Sequence, residues 1–308
     1  MNNILVTTSS FADQNPDLLA RLNARGLEVI INPLGRKLSE GEVTELLQKF
    51  RPVGMIAGVE PLTRNVLGGA DGLRVISRVG IGLDSVDLAA ARELGIAVTN
   101  TPDAPTVPVA ELTLGLILSL LRCIPASDAG IRRGEWSRPM GQLLLGKTVG
   151  VVGCGRIGTR VAKFLSAFGC RLLGYDPMVQ SSDLLELVSL DDLLSASDIV
   201  TLHLPYMEKT HHLLDASRLR AMKQGALVVN ASRGGLIDEE ALLASLQDGH
   251  LAGAALDCFE NEPYAGPLKE LGNVILTGHI GSYAKEGRVI MEEQAVDNLL
   301  LELSKSEA

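Results

Sequence analysis

Three polar groups in the second half of the chain could act together. Arg233 lies in Asn230-Ala231-Ser232-Arg233-Gly234-Gly235, Glu262 in Asp257-Cys258-Phe259-Glu260-Asn261-Glu262-Pro263, and His279 in Thr277-Gly278-His279-Ile280-Gly281. Each follows a short apolar run of the kind that forms a buried strand. An imidazole titrates near neutrality, and a carboxylate beside it favours the protonated form. A guanidinium presents a planar fork that can hold a carboxylate and a neighbouring oxygen together, a geometry lysine lacks. These are the groups that reduction of a 2-keto acid by hydride requires: a proton for the nascent alkoxide and a cation that binds and polarises the substrate. Taken singly, each has a plainer reading, as a structural ion pair, a loop charge or a buried imidazole. Their order at successive strand ends, downstream of a nucleotide loop, favours the chemical one.

That loop is Gly153-Cys154-Gly155-Arg156-Ile157-Gly158, a GxGxxG directly after the strand-like Thr148–Val152 and before a helical stretch expected over Thr159–Phe168. The glycines allow a tight turn and close backbone approach. The helix start then offers N–H groups to a pyrophosphate. The next strand ends Arg171-Leu172-Leu173-Gly174-Tyr175-Asp176-Pro177, which puts a carboxylate where the adenosine ribose should lie. A 2′-phosphate would meet like charge there, and no Arg or Lys immediately follows, so NAD is the expected cofactor. At neighbouring strand ends, His203, Leu204, Pro205, Ala231, Ser232 and Gly281 are candidates for the cofactor's walls, with packing as the alternative for His203.

Two series of strands must position these groups. In the first, Ile4–Thr8, Leu27–Asn32, Met55–Val59, Val75–Val79 and Ala97–Asn100 alternate with amphipathic stretches such as Pro16–Arg25 and Ser39–Phe50. The second holds about six: Thr148–Val152, Arg171–Tyr175, Ile199–Leu204, Ala226–Asn230, Gly253–Asp257 and Val274–Thr277. Near-continuous Val, Ile and Leu in such runs predicts parallel sheets covered on both faces. The fold expected is α/β: two doubly wound parallel-sheet domains, one flavodoxin-like and one Rossmann, joined by crossover helices. Val107–Leu121 is predicted to be one such helix, and Glu286 to about Leu303 a helix that returns the chain to the first domain.

The 308 residues suffice for two domains, and the net charge of −9 disfavours nucleic acid and anionic lipid as partners. The longest apolar run, Leu112 to Leu121, is half of what a bilayer span needs. The N-terminal stretch carries neither a basic nor a long apolar region, which predicts a cytoplasmic protein. Cys123, Cys154, Cys170 and Cys258 are scattered and read as reduced core residues. His211, His212 and His250 lack metal-site spacing, and no metal is expected.

With these residues in hand, the chain resembles the D-isomer-specific 2-hydroxyacid dehydrogenases, and among them the phosphoglycerate dehydrogenase-like members without a regulatory domain. Matching stretches include Arg78 to Asp87, Thr99-Asn100-Thr101-Pro102, Val109 to Thr113, and Gly225 through Pro263 to Gly281. The resemblance implies a substrate domain of residues 1–99 plus 286–308 and an NAD-binding domain of residues 100–285. It implies that Arg233 binds the substrate's carboxylate and carbonyl, that His279 is the acid/base, and that Glu262 tunes it. Asp257 resembles the family's acid near the nicotinamide, and Arg78-Val79-Gly80 the loop that holds the substrate carboxylate. It further implies a homodimer built around Asp103 to Gly146. Within that segment Trp136 could close the active site from a partner or anchor the interface.

The substrate expected is a small 2-hydroxy or 2-keto acid, with 3-phosphoglycerate as one possibility. Members that use 3-phosphoglycerate often carry an Arg in the first-domain loop where this chain has Glu60, within Gly58-Val59-Glu60-Pro61-Leu62-Thr63-Arg64. Either Arg64 or Arg78 replaces that charge, or the substrate lacks a phosphate. A phosphite- or phosphonate-type substrate is the alternative within the enzyme class. A binding protein that senses NAD(H) is the alternative outside it.

Overall fold

The structure is a computed structural model and describes residues 2–305. The chain divides into two compact units, Met1–Pro105 with Ser282–Ala308, and Thr106–Gly281.

The first unit begins as a βα alternation: β1 (Asn2–Val6), α1 (Asp17–Asn23), β2 (Leu27–Ile31), α2 (Glu40–Phe50), β3 (Gly54–Ala57), α3 (Arg64–Gly68), β4 (Val75–Arg78), α4 (Leu88–Glu93) and β5 (Ala97–Thr99). Every strand pairs parallel to its neighbours, in the order β2-β1-β3-β4-β5. This is the flavodoxin-like order, whose direction reverses between the first and third strands. Residues Ile4, Leu5, Val6, Met55, Ile56, Val75 and Ile76 are fully buried, as a sheet covered on both faces demands. Local signals start the helices. Ser39 and Glu42 form a reciprocal capping box on α2, and Asp87 accepts from the Ala90 amide to cap α4. The expected strands are all present, each ending one or two residues earlier than read, and the polar residues just past those ends form the unit's carboxyl edge.

The second unit comprises α5 (Thr106–Leu121), α6 (Ile124–Arg132), β6 (Thr148–Val152), α7 (Arg156–Ser166), β7 (Arg171–Tyr175), β8 (Glu186–Leu187), α8 (Leu190–Ala196), β9 (Ile199–Leu202), α9 (Ala216–Ala221), β10 (Ala226–Asn230), α10 (Glu239–Gln247), β11 (Leu251–Leu256) and β12 (Val274–Leu276). Its sheet has seven strands, ordered β12-β11-β10-β9-β6-β7-β8 and parallel throughout. The extra strand relative to the sequence reading is β8, whose two residues are too few to show a period. The order reverses at β6, with β7 and β9 on its two sides, which is the Rossmann arrangement.

The last helix, α11 (Lys285–Lys305), belongs to the first unit. Its Met291, Ala295, Val296, Leu299 and Leu303 pack in one core with Ile4, Val6, Ile56 and Val75. A Cβ on Gly54 would lie 2.7 Å from the Leu299 side chain, so β3 and α11 approach as closely as the absence of a side chain permits.

One helix start differs from the sequence reading by three residues, and the other ends of the helices that were read differ by two or fewer. The helix after the glycine loop starts at Arg156 rather than Thr159, because Gly155, extended at φ −72° and ψ −160°, serves as its N-cap. The apolar helix stops at Leu121, and a second begins at Ile124 with Pro125 in its first turn, Cys123 between them being left-handed at φ 52°. Among the described residues no single helix is long and apolar enough to cross a membrane; only this pair, bent by 66°, passes that test jointly. Cys154 and Cys258 are buried and Cys123 and Cys170 half-buried, all as free thiols. Burial pushes the Cys154 thiol up to about 11 and that of Cys258 higher still.

Candidate active site

At the carboxyl end of β6, the His203 amide donates to the Val152 carbonyl at 2.7 Å, which brings β9 alongside the start of the glycine loop. Gly153 is left-handed at φ +99°, and a Cβ there would stand 2.6 Å from the His203 carbonyl carbon. Gly158, in the first turn of α7, faces the Gly153 carbonyl, where a Cβ would overlap it. A Cβ on Gly155, in contrast, would meet nothing within 4 Å. The loop is therefore tight where it packs and open at the helix start, whose N-cap has no side chain to occupy the first-turn amides. Arg156 and Ile157 open that first turn.

Asp176 stands just past β7 and faces the same loop. One carboxylate oxygen accepts from the Cys154 amide at 2.8 Å and the other from the Met178 amide at 2.8 Å. The acid is thus locked beside the loop while retaining acceptor capacity for a ribose hydroxyl. Across the reversal, His203 contacts the Thr201 hydroxyl at 3.0 Å through Nε2, and its Nδ1 is a buried atom with no partner among the described residues. Burial pushes the ring down to about 3, so it is neutral. An open helix start, a fixed acid and an unpartnered ring nitrogen around one switch point fit a dinucleotide.

The three catalytic candidates occupy the other side of the sheet, at the ends of β10, β11 and β12. Arg233 follows β10 and donates from Nη1 to the Ser232 carbonyl at 2.7 Å. The turn beneath it is built from side chains: Asn230 donates to the Arg233 carbonyl at 2.7 Å and accepts from the Ser232 amide at 3.0 Å. The Ser232 hydroxyl in turn donates to the Leu204 carbonyl at 2.6 Å, tying this turn to the end of β9. Gly234 lies against the Phe259 carbonyl, where a Cβ would overlap it, so the turns after β10 and β11 interlock.

His279 Nδ1 lies 2.9 and 3.0 Å from the two oxygens of Glu262. A carboxylate only accepts, so Nδ1 carries the proton and Nε2 is left for exchange with a ligand. Glu262 also accepts from the Phe259 amide at 3.1 Å, which fixes the carboxylate before it fixes the imidazole. Both side chains remain partly exposed, at 40% and 27%, so the pair is reachable.

Asp257 has a duty that sequence reading did not find. It is 1% exposed and accepts three hydrogen bonds, from the Thr277 hydroxyl at 2.6 Å and from the Ile280 and Gly281 amides at 2.8 and 2.7 Å. These donors flank His279, which is itself left-handed at φ 54°. Asp257 thus pins the loop that presents the imidazole. Its place at a strand end and its resemblance to the family's acid near the nicotinamide were the sequence signals, and neither pointed to this role.

Of the remaining candidates, Arg78, Val79 and Gly80 belong to the first unit, just past β4. Arg78 is 9% exposed and folds back to donate to the Val79 carbonyl. The Val79 amide continues the ladder to the Ala57 carbonyl at 2.9 Å, and the Gly80 amide donates to the Thr101 hydroxyl at 2.8 Å. Of these two amides, only the one facing a hydroxyl has a partner that a carboxylate could replace without opening the sheet. His212 pairs with Glu260 at 2.5 Å and stacks on His211.

A seven-stranded Rossmann sheet with a fixed acid beside its glycine loop, and an Arg, a Glu and a His at its far strand ends, defines a dinucleotide-dependent oxidoreductase fold. Comparison with known proteins agrees. Residues 114–281 match the family described as D-isomer specific 2-hydroxyacid dehydrogenase, NAD binding domain. The chain is 43% identical over 276 residues to a D-3-phosphoglycerate dehydrogenase of Methanocaldococcus jannaschii, covering 85% of this chain and 53% of that one. It is 42% identical over 272 residues to a glyoxylate reductase of Thermofilum pendens, covering 83% and 80% respectively. The crystal structure of the TT0316 protein of Thermus thermophilus superposes with a TM-score of 0.91 at 40% identity, covering 98% and 97%. The chain belongs to the D-isomer specific 2-hydroxyacid dehydrogenase family. It spans about half the length of several curated relatives that it matches, 53% of the first and 47% of another.

Proposed function

We propose that this protein is an NAD-dependent oxidoreductase that moves a hydride between NAD(H) and a small 2-hydroxy or 2-keto acid. The observation that carries this reading is the His279–Glu262 pair at 2.9 Å, held on the same Rossmann sheet as the glycine loop, Asp176 and Arg233. Bound at the loop, the dinucleotide supplies or accepts the hydride. Glycines 153, 155 and 158 leave room for its pyrophosphate, with Arg156 and Ile157 at the helix start, and Asp176 takes the ribose hydroxyls. The walls are His203, Leu204, Pro205, Ala231, Ser232, Asp257 and Gly281.

The chain's own groups then divide the work. Arg233 forks the substrate's carboxylate and carbonyl oxygen, drawing electron density from the carbon that is reduced. His279 gives its Nε2 proton to the developing alkoxide in the reducing direction and takes it back in the oxidising one. Glu262 keeps Nδ1 protonated and stabilises the charge on the ring when both nitrogens carry protons. Within the first unit, the Gly80 amide, which here donates to the Thr101 hydroxyl, is the group of the Arg78-Val79-Gly80 turn suited to a carboxylate.

The same reading makes Met1–Pro105 with the last helix the substrate domain, and the unit from Thr106 to Gly281 the NAD domain. It places the protein in the cytoplasm as a homodimer. Support for the dimer comes from the segment after α5, where Ile124, Ile131, Trp136, Met140, Leu143 and Leu145 are all exposed, Trp136 by 83% and Met140 by 94%. So many large apolar side chains in one stretch mark a surface meant for burial.

Replacing His279 with Ala should cut kcat by about 10²–10⁴-fold while NADH binding, read by fluorescence titration, changes little. Undiminished turnover in this variant would rule out the acid/base assignment.

A further inference from the structure

Glu262 reaches His279 from a short loop. Past β11 the chain runs through Asp257 and Cys258 to Phe259, and Glu262 lies three residues further on. Phe259 is a fixed point: its carbonyl lies against Gly234, its ring stacks on Tyr264 at 4.3 Å, and its amide donates to Glu262 at 3.1 Å. Tyr264 is a second, its hydroxyl accepting from the Leu268 amide at 3.1 Å. Between the two run residues 260–263, of which Glu260, Asn261 and Pro263 are exposed. So exposed a segment keeps one shape only where its polar groups are tied down. The aim of the Glu262 carboxylate, and through it of the His279 ring, depends on that shape.

One tie comes from another element. The Glu260 amide donates to a Glu239 carboxyl oxygen at 2.8 Å. Glu239 is the first residue of α10, where an acid ordinarily serves the helix end; here Asp238 caps that end by accepting from the Ala241 amide at 3.0 Å, which leaves Glu239 to the loop. Glu240 beside it is exposed, whereas Glu239 is half-buried. Among the described residues, Glu260, Glu262, His212 and Tyr264 are the titratable groups that face Glu239. Burial foremost, opposed by the Glu260 amide, holds its carboxyl above the ordinary carboxylate range; Glu260 and Glu262 add to the rise and His212 works against it. Ionised or protonated, a carboxyl keeps an acceptor oxygen for an amide. On the other side of the same residue, His212 Nε2 meets the Glu260 carboxylate at 2.5 Å, and the His212 amide donates to the Gly235 carbonyl at 2.8 Å. Glu260 is thus gripped by its amide from α10 and by its side chain from the segment after β9, beside the turn that carries Arg233.

We propose that Glu239 is a positioning residue for the acid/base pair: by holding the Glu260 amide it sets the loop that aims Glu262 at His279 Nδ1. This inference rests on the oxidoreductase reading above. All the groups it invokes belong to one compact unit, Thr106–Gly281. What the role requires is the reach of the side chain and an acceptor oxygen at its end, not its charge. A loosened Glu262 stabilises the doubly protonated imidazole less, so His279 then gives up its second proton at lower pH.

The test compares Glu239→Ala, Glu239→Asp and Glu239→Gln with the wild type in the pH profile of NADH oxidation, using the 2-keto acid that the wild type reduces fastest. Ala lacks the acceptor, and Asp is one methylene too short to reach the amide. Each should lower kcat by about tenfold, keep the NADH Kd and substrate KM within about twofold, and move the alkaline limb of kcat/KM down by about half a pH unit or more. Gln keeps both reach and acceptor, and should restore kcat and the limb toward wild type. If the Ala variant does not fold, the Asp and Gln variants carry the comparison. A Gln variant as impaired as Ala or Asp overturns the inference, as does a lower Tm with the limb in place, the mark of a merely structural contact. Wild-type kcat and limb in the Ala and Asp variants overturn it too; in each of these cases turnover by the wild type leaves the oxidoreductase reading standing. A wild type that reduces no 2-keto acid overturns both.

Discussion

Asp257→Ala is the substitution most informative about how the site is held. The carboxylate is buried, and its three donors are the Thr277 hydroxyl and the amides of Ile280 and Gly281, so the turn around His279 hangs on one side chain. A hydrogen bond to a charged group contributes about 1.5–3 kcal/mol, so three at the lower end would sum to between 4 and 5 kcal/mol, roughly. Water entering the vacated space recovers part, leaving a loss of about 3 kcal/mol. Against it stands the left-handed backbone of His279, which costs about 1–2 kcal/mol and favours relaxation once the restraint is gone. The imidazole then leaves Glu262, and a displacement near 1 Å costs about 10²-fold in turnover. For a unit of this size, 3 kcal/mol corresponds to a fall in Tm of about 6–12 °C. Steady-state kinetics, NADH titration and thermal unfolding of the same preparation read all three quantities. The expected pattern is a kcat at least about 10²-fold down, a lower Tm, and an NADH Kd raised less than kcat falls. Asp257→Asn, which places an NH2 group opposite one of the donors, should fall between. Wild-type stability and a kcat within about threefold in the Ala variant would refute the idea that Asp257 holds the loop.

Three further outcomes follow from the cofactor side. Asp176→Ala should raise the KM for NADH and narrow the preference over NADPH, since the acid that meets a 2′-phosphate is gone; a wild type that already prefers NADPH contradicts the ribose assignment. Gly153→Ala forces a side chain into a left-handed position 2.6 Å from a backbone carbon, and should cost 2 kcal/mol or more in stability, roughly, and lose NADH binding. Normal unfolding and normal titration would show that the loop can move aside. The third concerns pH. Burial holds His203 neutral with its pKa near 3, below the unfolded value near 6.5, so stability is fully present above about 6.5 and is lost as pH falls toward 3, by up to about 1.4 kcal/mol per unit. His203→Gln should flatten that part of a urea-denaturation series from pH 7 to pH 4, and an unchanged slope would place the lost stability elsewhere.

The strands of both sheets were legible because a parallel sheet covered on both faces writes itself as uninterrupted Val, Ile and Leu: Thr148–Val152, Arg171–Tyr175 and Ala226–Asn230 are found as read. Helices of five or six residues, such as Arg64–Gly68 and Leu88–Glu93, were not legible, since so short a stretch has no period. The apolar helix ends at Leu121, as read, but the short helix that follows from Ile124 was not legible, its start being set by the left-handed Cys123. At the site, residue types and strand ends were enough to bring out Arg233, Glu262 and His279, and the structure puts the latter two in contact. Contacts made by backbone amides left no trace in residue type. The pinning of the His279 loop by Asp257 is one case, the engagement of the Val79 amide by the sheet is another, and the burial of Glu60 against Thr7 and Gly58 is a third.

The central claim is tested most directly by following NADH at 340 nm while purified protein is offered glyoxylate, pyruvate, hydroxypyruvate, oxaloacetate and 2-ketoglutarate, with NADPH in parallel. Oxidation of NADH that depends on one or more of these acids, and is weaker with NADPH, is the predicted result. Tight NADH binding with no turnover on any of them would contradict the oxidoreductase reading and point to a protein that senses the nucleotide.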